Sequence, residues 1–361
     1  MTAPGAARVV VAGAGLLGAA IAYRLTRRGA RVTVLERDRP GAGATGGSFA
    51  WANATYGKEP RAYFELHRLG LGEWRRLADD LAGAVDVPFG GTLQWARPGA
   101  EEPLLAALRR HQGWGSPAYA LDGAAMRALV PGLVPGAVGA ATFTPDEAAP
   151  DAVAVTEALL AVASAGGAEL RGGTAVEAIE PDGAGVRVRA GGAAIAADRV
   201  VIACGVDTPG LAAQAGVEVP LVESPGALVH TAPQPRLLGP VLLAPEVHVL
   251  QRPDGRVVVG RDFSGGDVGL EPAELLAAAR VVLPALDGAA IERRTLCRRV
   301  LAADGLPVLG RGLDGRAYVA ATHSGVSLGP LLGRLVATEL LDEVDVDLLA
   351  PYRPARFAGA R

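Results

Sequence analysis

Residues 8–36 read RVVVAGAGLLGAAIAYRLTRRGARVTVLE, and the frame Gly13-x-Gly15-x-x-Gly18 within them leaves few folds open. Arg8 to Ala12 is a short β-branched run of the kind that forms a parallel strand buried on both faces. It enters the glycine frame directly. Ala19 to Arg28 is helical in pattern, Gly29 stops it, and RVTVLE forms a second strand ending in Glu36. A strand, glycine turn, helix, strand and terminal carboxylate together make up the dinucleotide-binding fingerprint. The first glycine permits the tight turn, the second lets backbone approach a pyrophosphate, and the third lets the helix pack on the strand. The pyrophosphate would rest at the positive end of the helix, and Glu36 would accept from a ribose hydroxyl.

The fingerprint alone serves FAD and nicotinamide cofactors alike. Beyond Glu36, ERDRPGAGATGGSFAWANATYG continues as a glycine-rich loop carrying Ala44, Thr45, Gly46, Gly47 and Ser48. A nicotinamide domain more often proceeds straight to its next strand, whereas a flavin needs a second contact loop. FAD is therefore expected, with a nicotinamide-dependent dehydrogenase as one alternative. A flavin-bearing binding protein without turnover is the other.

A chain of 361 residues exceeds the usual single-domain size. Thirty-five basic residues stand against 38 acidic ones, with no basic tract that would suggest nucleic acid. Two cysteines so separated in sequence, Cys204 and Cys297, support neither a disulfide framework nor a zinc site, so a reducing cytoplasm is expected. The apolar stretch Val9–Tyr23 has the length of a signal-peptide core and is too short to span a bilayer. Its glycines assign it to the nucleotide turn.

Further along, Phe64 to Leu81 has helical spacing, and residues 85–150 alternate short strands with Pro/Gly punctuation. Asp151 is placed to cap an alanine-rich helix ending before Gly166-Gly167. Asp182-Gly183 and Asp254-Gly255 mark hairpins, and RVVIACG, Arg199 to Gly205, is another buried strand. AYVAAT, the turn HSG and a leucine-faced helix from Ser327 to about Leu341 close the chain. The expected fold is α/β. A Rossmann-like FAD-binding domain in three pieces (1–84, 151–216, 295–361) alternates with a mostly antiparallel β-sheet substrate domain in two (85–150, 217–294).

Over essentially its whole length the chain resembles the flavoprotein family of D-amino acid oxidases, glycine oxidases, sarcosine oxidases and D-amino acid dehydrogenases. The carriers are the segment VVVAGAGLLGAAIAYRLTRRGARVTVLER, the loop GATGGS, GTAVEAIE, RVVIACG, and the pair ADGLPVLGR and ATHSGVSLGP. The resemblance implies that the turn Gly13, Ala14, Gly15, Leu16, Leu17 and Gly18, with Glu36 and Arg37, holds the adenosine diphosphate half of FAD. Ala44, Thr45, Gly46, Gly47 and Ser48 would lead toward the flavin. Val176 corresponds to a backbone position at the adenine, and Gly205 to a strand end passing the cofactor. Gly325, Val326, Ser327 and Leu328 would set a helix N-terminus against the flavin pyrimidine edge.

In amino-acid-oxidising members, an arginine five positions before the aspartate of an Asp-Gly pair binds the substrate carboxylate, and Arg299 occupies that position. Its planar fork suits a carboxylate, and Arg298 should point to the opposite face of the strand. Cys297 stands where the sarcosine oxidase branch attaches flavin covalently, although that branch lacks the arginine two residues later. His323 matches a histidine of the glycine oxidase pattern and is a candidate acid or base. The second substrate-side arginine of that pattern is absent here, which argues against glycine itself. The implied reaction is oxidation of the C–N bond of an amino acid or N-substituted amino acid, with oxygen or a quinone as electron acceptor. Sarcosine oxidases activate oxygen with a sheet-domain lysine. The single lysine here, Lys58, lies outside that domain, which favours a dehydrogenase slightly.

Overall fold

In the computed structural model, which describes residues 6–81, 83–261 and 269–358, two sheets share one long cavity. The first sheet has six strands in the order Val308–Gly312, Ala317–Ala321, Arg199–Ile202, Arg8–Ala12, Arg31–Leu35 and Glu169–Arg171. All neighbours run parallel except Val308–Gly312 against Ala317–Ala321. The β-branched runs form this sheet because both of its faces are covered. Val9 and Val11 pack with the helices Leu16–Arg27, Ala152–Ala165 and Gly325–Asp342, while Val10 packs with the meander Val176–Ala197. Small residues bring the first and last helices together: a Cβ on Gly333 would stand 2.7 Å from the Ala20 backbone. Buried Glu73 ties the same region with ion pairs to Arg24 and Arg76 at 2.9 Å and Arg334 at 3.1 Å.

The second sheet has eight strands in the order Ile291–Arg298, Pro225–Thr231, Val257–Gly260, His248–Gln251, Val241–Leu243, Thr92–Ala96, Ala140–Thr144 and Tyr119–Leu121. Its pairs are antiparallel except Val241–Leu243 with Thr92–Ala96. Both Asp-Gly signals mark hairpins, with Gly183 at φ +58° and Gly255 at φ +87°. Asp151 caps its helix, its carboxylate accepting from Val153 and Ala154 N–H at 3.0 Å. The strand Ile291–Arg298 belongs wholly to the eight-stranded sheet and crosses the expected boundary at 294/295. The chain thus leaves the second sheet only at Arg299, beside the cavity.

Among the described residues, no helix is long and apolar enough to cross a membrane. Cys204 and Cys297 are not joined in a disulfide.

Candidate active site

The cavity measures about 960 Å3 and opens at the carboxyl ends of the central strands, where strand order reverses on either side of Arg8–Ala12. That is where doubly wound sheets bind nucleotides. Gly13 N–H donates to Leu35 O at 2.8 Å, and Gly13 adopts φ +101°. A Cβ there would lie 2.3 Å from Ala203 O, and one on Gly18 would lie 2.0 Å from Gly13 O. These two contacts are with backbone and cannot relax cheaply, so the glycines are steric requirements of the turn. Gly15 starts the first helix with no side-chain cap, and no acidic residue occupies its first turn. Leu16 N–H donates to Thr45 Oγ1 at 3.0 Å, which pins the second glycine loop to the first. The positive helix end therefore faces the cavity.

Glu36 lines the cavity while its carboxylate accepts from Ala14 N–H at 2.8 Å and Asp38 N–H at 2.9 Å. Arg37 reaches Asp207 at 3.1 Å across the same end. Leu16, Leu17, Ala44, Thr45, Gly47, Ser48, Val176 and Gly205 complete this half of the wall. Four expected contact residues stand one layer behind it. Gly18 packs on Gly13, Gly46 on Gly41 O, and Leu328 is buried in the helical core, while Ala14 is fully buried and donates to Glu36. None of the four lines the cavity.

At the far end, Gly325, Val326 and Ser327 line the cavity as the first turn of the last helix, whose N-cap Ser324 makes no side-chain cap. Its leading N–H groups have no intrahelical acceptors, so this helix too presents a positive end. Arg299 comes off the Ile291–Arg298 strand with its N–H bonded to Ser224 O at 2.7 Å and its guanidinium packed over Gly226. Cys297 and Arg299 both line the cavity, whereas Arg298 is exposed and lies 3.8 Å from Asp207. Cys297 Sγ donates to Gly47 O at 3.2 Å, and its Cβ sits where a Gly47 side chain would go. The cysteine thereby joins the sheet domain to the second glycine loop.

His323 projects into the cavity, its ring accessible from within but enclosed by protein beyond. That enclosure, with the positive charges of Lys58 and Arg299, lowers its pKa to about 4. The imidazole is therefore neutral at physiological pH.

Lys58 also belongs to the cavity wall. No cavity-lining lysine comes from the sheet domain, yet Lys58 reaches the same cavity from the other domain. It is 8% exposed, donates to Ser324 Oγ at 3.3 Å and lies 5.5 Å above the Tyr63 ring. Burial pushes its pKa down to about 8, partly countered by Glu147. Tyr63 OH shares Ser324 Oγ at 2.9 Å, and burial raises this phenol to about 12. Asn53, Trp51, Tyr56 and His248 also line this end, with Trp51–Tyr56 and Tyr56–His248 ring centroids 5.8 and 6.1 Å apart. Nothing in a glycine-rich loop marked these residues beforehand, except that Lys58 is unique in the chain.

Two glycine loops and two open helix ends around one cavity of this size define a dinucleotide-binding protein. The chain belongs to the DAO family of FAD-dependent oxidoreductases, whose model matches residues 8–339. FAD is its cofactor, and the nicotinamide alternative falls away. The chain is 27% identical to a glycine oxidase of Bacillus licheniformis over 345 residues, covering 92% of each. Its structure is similar to glycine oxidase from Geobacillus kaustophilus, with a TM-score of 0.85 at 26% identity over 97% of this chain and 99% of that one. It is also similar to iminodiacetate oxidase from Chelativorans sp. BNC1, with a TM-score of 0.82 at 25% identity over 96% and 99%.

Proposed function

We propose that the protein oxidises the carbon–nitrogen bond of an amino acid or N-substituted amino acid held by its carboxylate on Arg299. The observation that carries this reading is the placement of Arg299 in the same cavity end as His323 and the open N-terminus of the Gly325–Asp342 helix. The relatives named for glycine and iminodiacetate oxidation support it, since both compounds place a carboxylate next to the amine-bearing carbon. When bound, FAD supplies the hydride acceptor at N5, and the imine left on the substrate is hydrolysed by water to an oxo acid and an amine.

The residues of the chain then have separable tasks. Arg299 fixes the carboxylate through its planar fork and so orients the α-carbon. Gly226 gives that guanidinium its seat. His323, neutral above about pH 4, can accept from the amine N–H without adding a positive charge. Gly325 to Ser327 direct N–H groups and a positive helix end toward the edge where negative charge collects on reduction. The acceptor is oxygen or a quinone, with a dehydrogenase slightly favoured because no cavity-lining lysine comes from the sheet domain. Two cysteines not joined in a disulfide fit a cytoplasmic setting.

Anaerobic addition of amino acids to the purified yellow protein tests the reading. Bleaching of the flavin band by an amine, abolished in Arg299→Ala with FAD retained, is the expected result. A band that no amine bleaches, in a fully loaded protein, would leave the non-catalytic alternative standing. Admitting air or a quinone to the reduced protein then identifies the acceptor.

A further inference from the structure

Lys58 is left without a task by the reaction as proposed. One cation suffices for one carboxylate, and Arg299 supplies it. Lys58 nevertheless sits in the wall of the same cavity, on the turn before the Arg61–Asp80 helix, with a hydroxyl and an aromatic face as its neighbours. Among the described residues it forms no ion pair. The carboxylate whose field reaches it, Glu147, is committed elsewhere: one oxygen accepts from Ala54 N–H, Thr55 N–H and Thr55 Oγ1, the other from Trp51 Nε1 and Thr92 Oγ1. An ammonium held away from water without a charged partner is costly, and burial has already moved its pKa down to about 8. A bound anion would offset that cost.

We propose that the substrate carries a second carboxylate and that Lys58 binds it, so the substrate class is an acidic amino acid or an amino acid with a carboxyalkyl group on nitrogen. This rests on the reading of the cavity as an amino-acid-oxidising site. Arg299 enters from the sheet domain and Lys58 from the nucleotide domain, and each lowers the pKa of His323. The imidazole is therefore within the field of both cations. A dicarboxylate whose amine lies near His323 has two cations within reach, one for each carboxylate. A monocarboxylate leaves Lys58 beside its apolar portion.

The test compares substrates that differ only in the second carboxylate, added anaerobically to the holoenzyme. N-methylglycine is set against iminodiacetate, and 2-aminobutyrate against aspartate, each chiral compound as both enantiomers. A charge-assisted hydrogen bond predicts half-saturation at least about tenfold lower for the dicarboxylate of one pair. Lys58→Met should reduce that gap to less than about twofold. Equal half-saturation within both pairs overturns the proposal, as does a gap that survives Lys58→Met while the flavin midpoint potential moves, which would assign Lys58 to the cofactor. The wild-type comparison stands even if the variant fails to load FAD. If no amine reduces the flavin, the underlying reading fails separately. Calorimetric titration of the holoenzyme with butyrate and succinate then decides about Lys58, because tighter succinate supports the second anion site and equal affinity refutes it.

Discussion

Gly226→Ala is a substitution whose effect should be confined to the Arg299 guanidinium. A Cβ built on Gly226 lies 2.6 Å from Arg299 Nη2, 2.7 Å from Nε and 3.0 Å from Cζ. Ordinary contact needs at least about 3.5 Å, so the guanidinium must retreat by roughly 1 Å. The obstacle is the far end of a flexible side chain, and it can move. The backbone at Gly226 lies outside the left-handed region, and alanine is the better strand former by about 0.5–1 kcal/mol. Global stability should therefore change by less than about 1 kcal/mol. Substrate recognition should suffer far more, since losing one charge-assisted hydrogen bond costs about 1.5–3 kcal/mol, a roughly ten- to hundredfold loss. The assay is anaerobic reduction of the bound flavin by a working amine, followed by stopped flow, beside a urea titration and a flavin-to-protein ratio. Gly239→Ala is the control, since nothing lies within 4 Å of a Cβ placed there. Wild-type half-saturation and reduction rate in a fully loaded Gly226→Ala protein would refute the assignment of Arg299 to the carboxylate.

Three further outcomes can be checked on the same preparations. Gly18→Ala sets a Cβ 2.0 Å from the Gly13 carbonyl, and a backbone clash costs about 1–3 kcal/mol, so this protein should purify with little FAD; stoichiometric flavin would contradict the packing role. Asp151→Ala removes a cap worth about 1 kcal/mol and also a carboxylate 3.7 Å from buried Arg252, so its urea midpoint should fall further than that of Asp151→Asn. For Lys58 the folded pKa of about 8 lies below the ordinary 10.5, so the unfolded chain binds more protons between those values. Stability should rise as pH goes from about 8 to about 10.5, and Lys58→Met should remove that rise and unfold at a higher urea concentration at pH 7. A Lys58→Met protein less stable than the wild type at pH 7 would show the ammonium to be better satisfied than its neighbours indicate.

What was legible in the sequence is what short-range chemistry determines. The glycine frame, the two Asp-Gly turns and the Asp151 cap are each specified by residues within a few positions of one another. The cavity wall is different in kind. Ser324 meets Lys58 across 266 positions and Cys297 meets Gly47 across 250, and no local pattern announces either contact. Arg299 was reached through the family resemblance, whereas Gly226, which gives it room, could be found only by building the sheet register that pairs Gly226 with Cys297. The same register explains why one strand spans the expected boundary at 294/295. Ile291–Arg298 alternates as any sheet strand does, and only its pairing with Pro225–Thr231 shows which sheet it completes.

The arrangement of charge along the cavity links cofactor orientation to the state of the substrate. Glu36, Asp38, Glu177 and Asp207 line one end, where Arg37 pairs with Asp38 and Asp207, and the described lining residues of the other end include Lys58, Arg299 and an open helix N-terminus. A dinucleotide bound as the family resemblance implies would meet acceptors for its ribose at one end and a positive field at its ring. That field also acts on any bound amine. Burial, reinforced by that field, lowers the His323 pKa to about 4, and both must disfavour a substrate ammonium in the same sense, because it too is a cation when protonated. A bound amino acid should therefore lose its ammonium proton at a lower pH than it does in water, delivering the neutral nitrogen that C–N oxidation requires. The reduction rate at saturating amine, followed against pH, should rise with an apparent pKa below that of the free amine, and Lys58→Met should move it upward. An apparent pKa at or above the free value would mean that the substrate carboxylates outweigh the two cations, and that the proton is removed by a group rather than by the field.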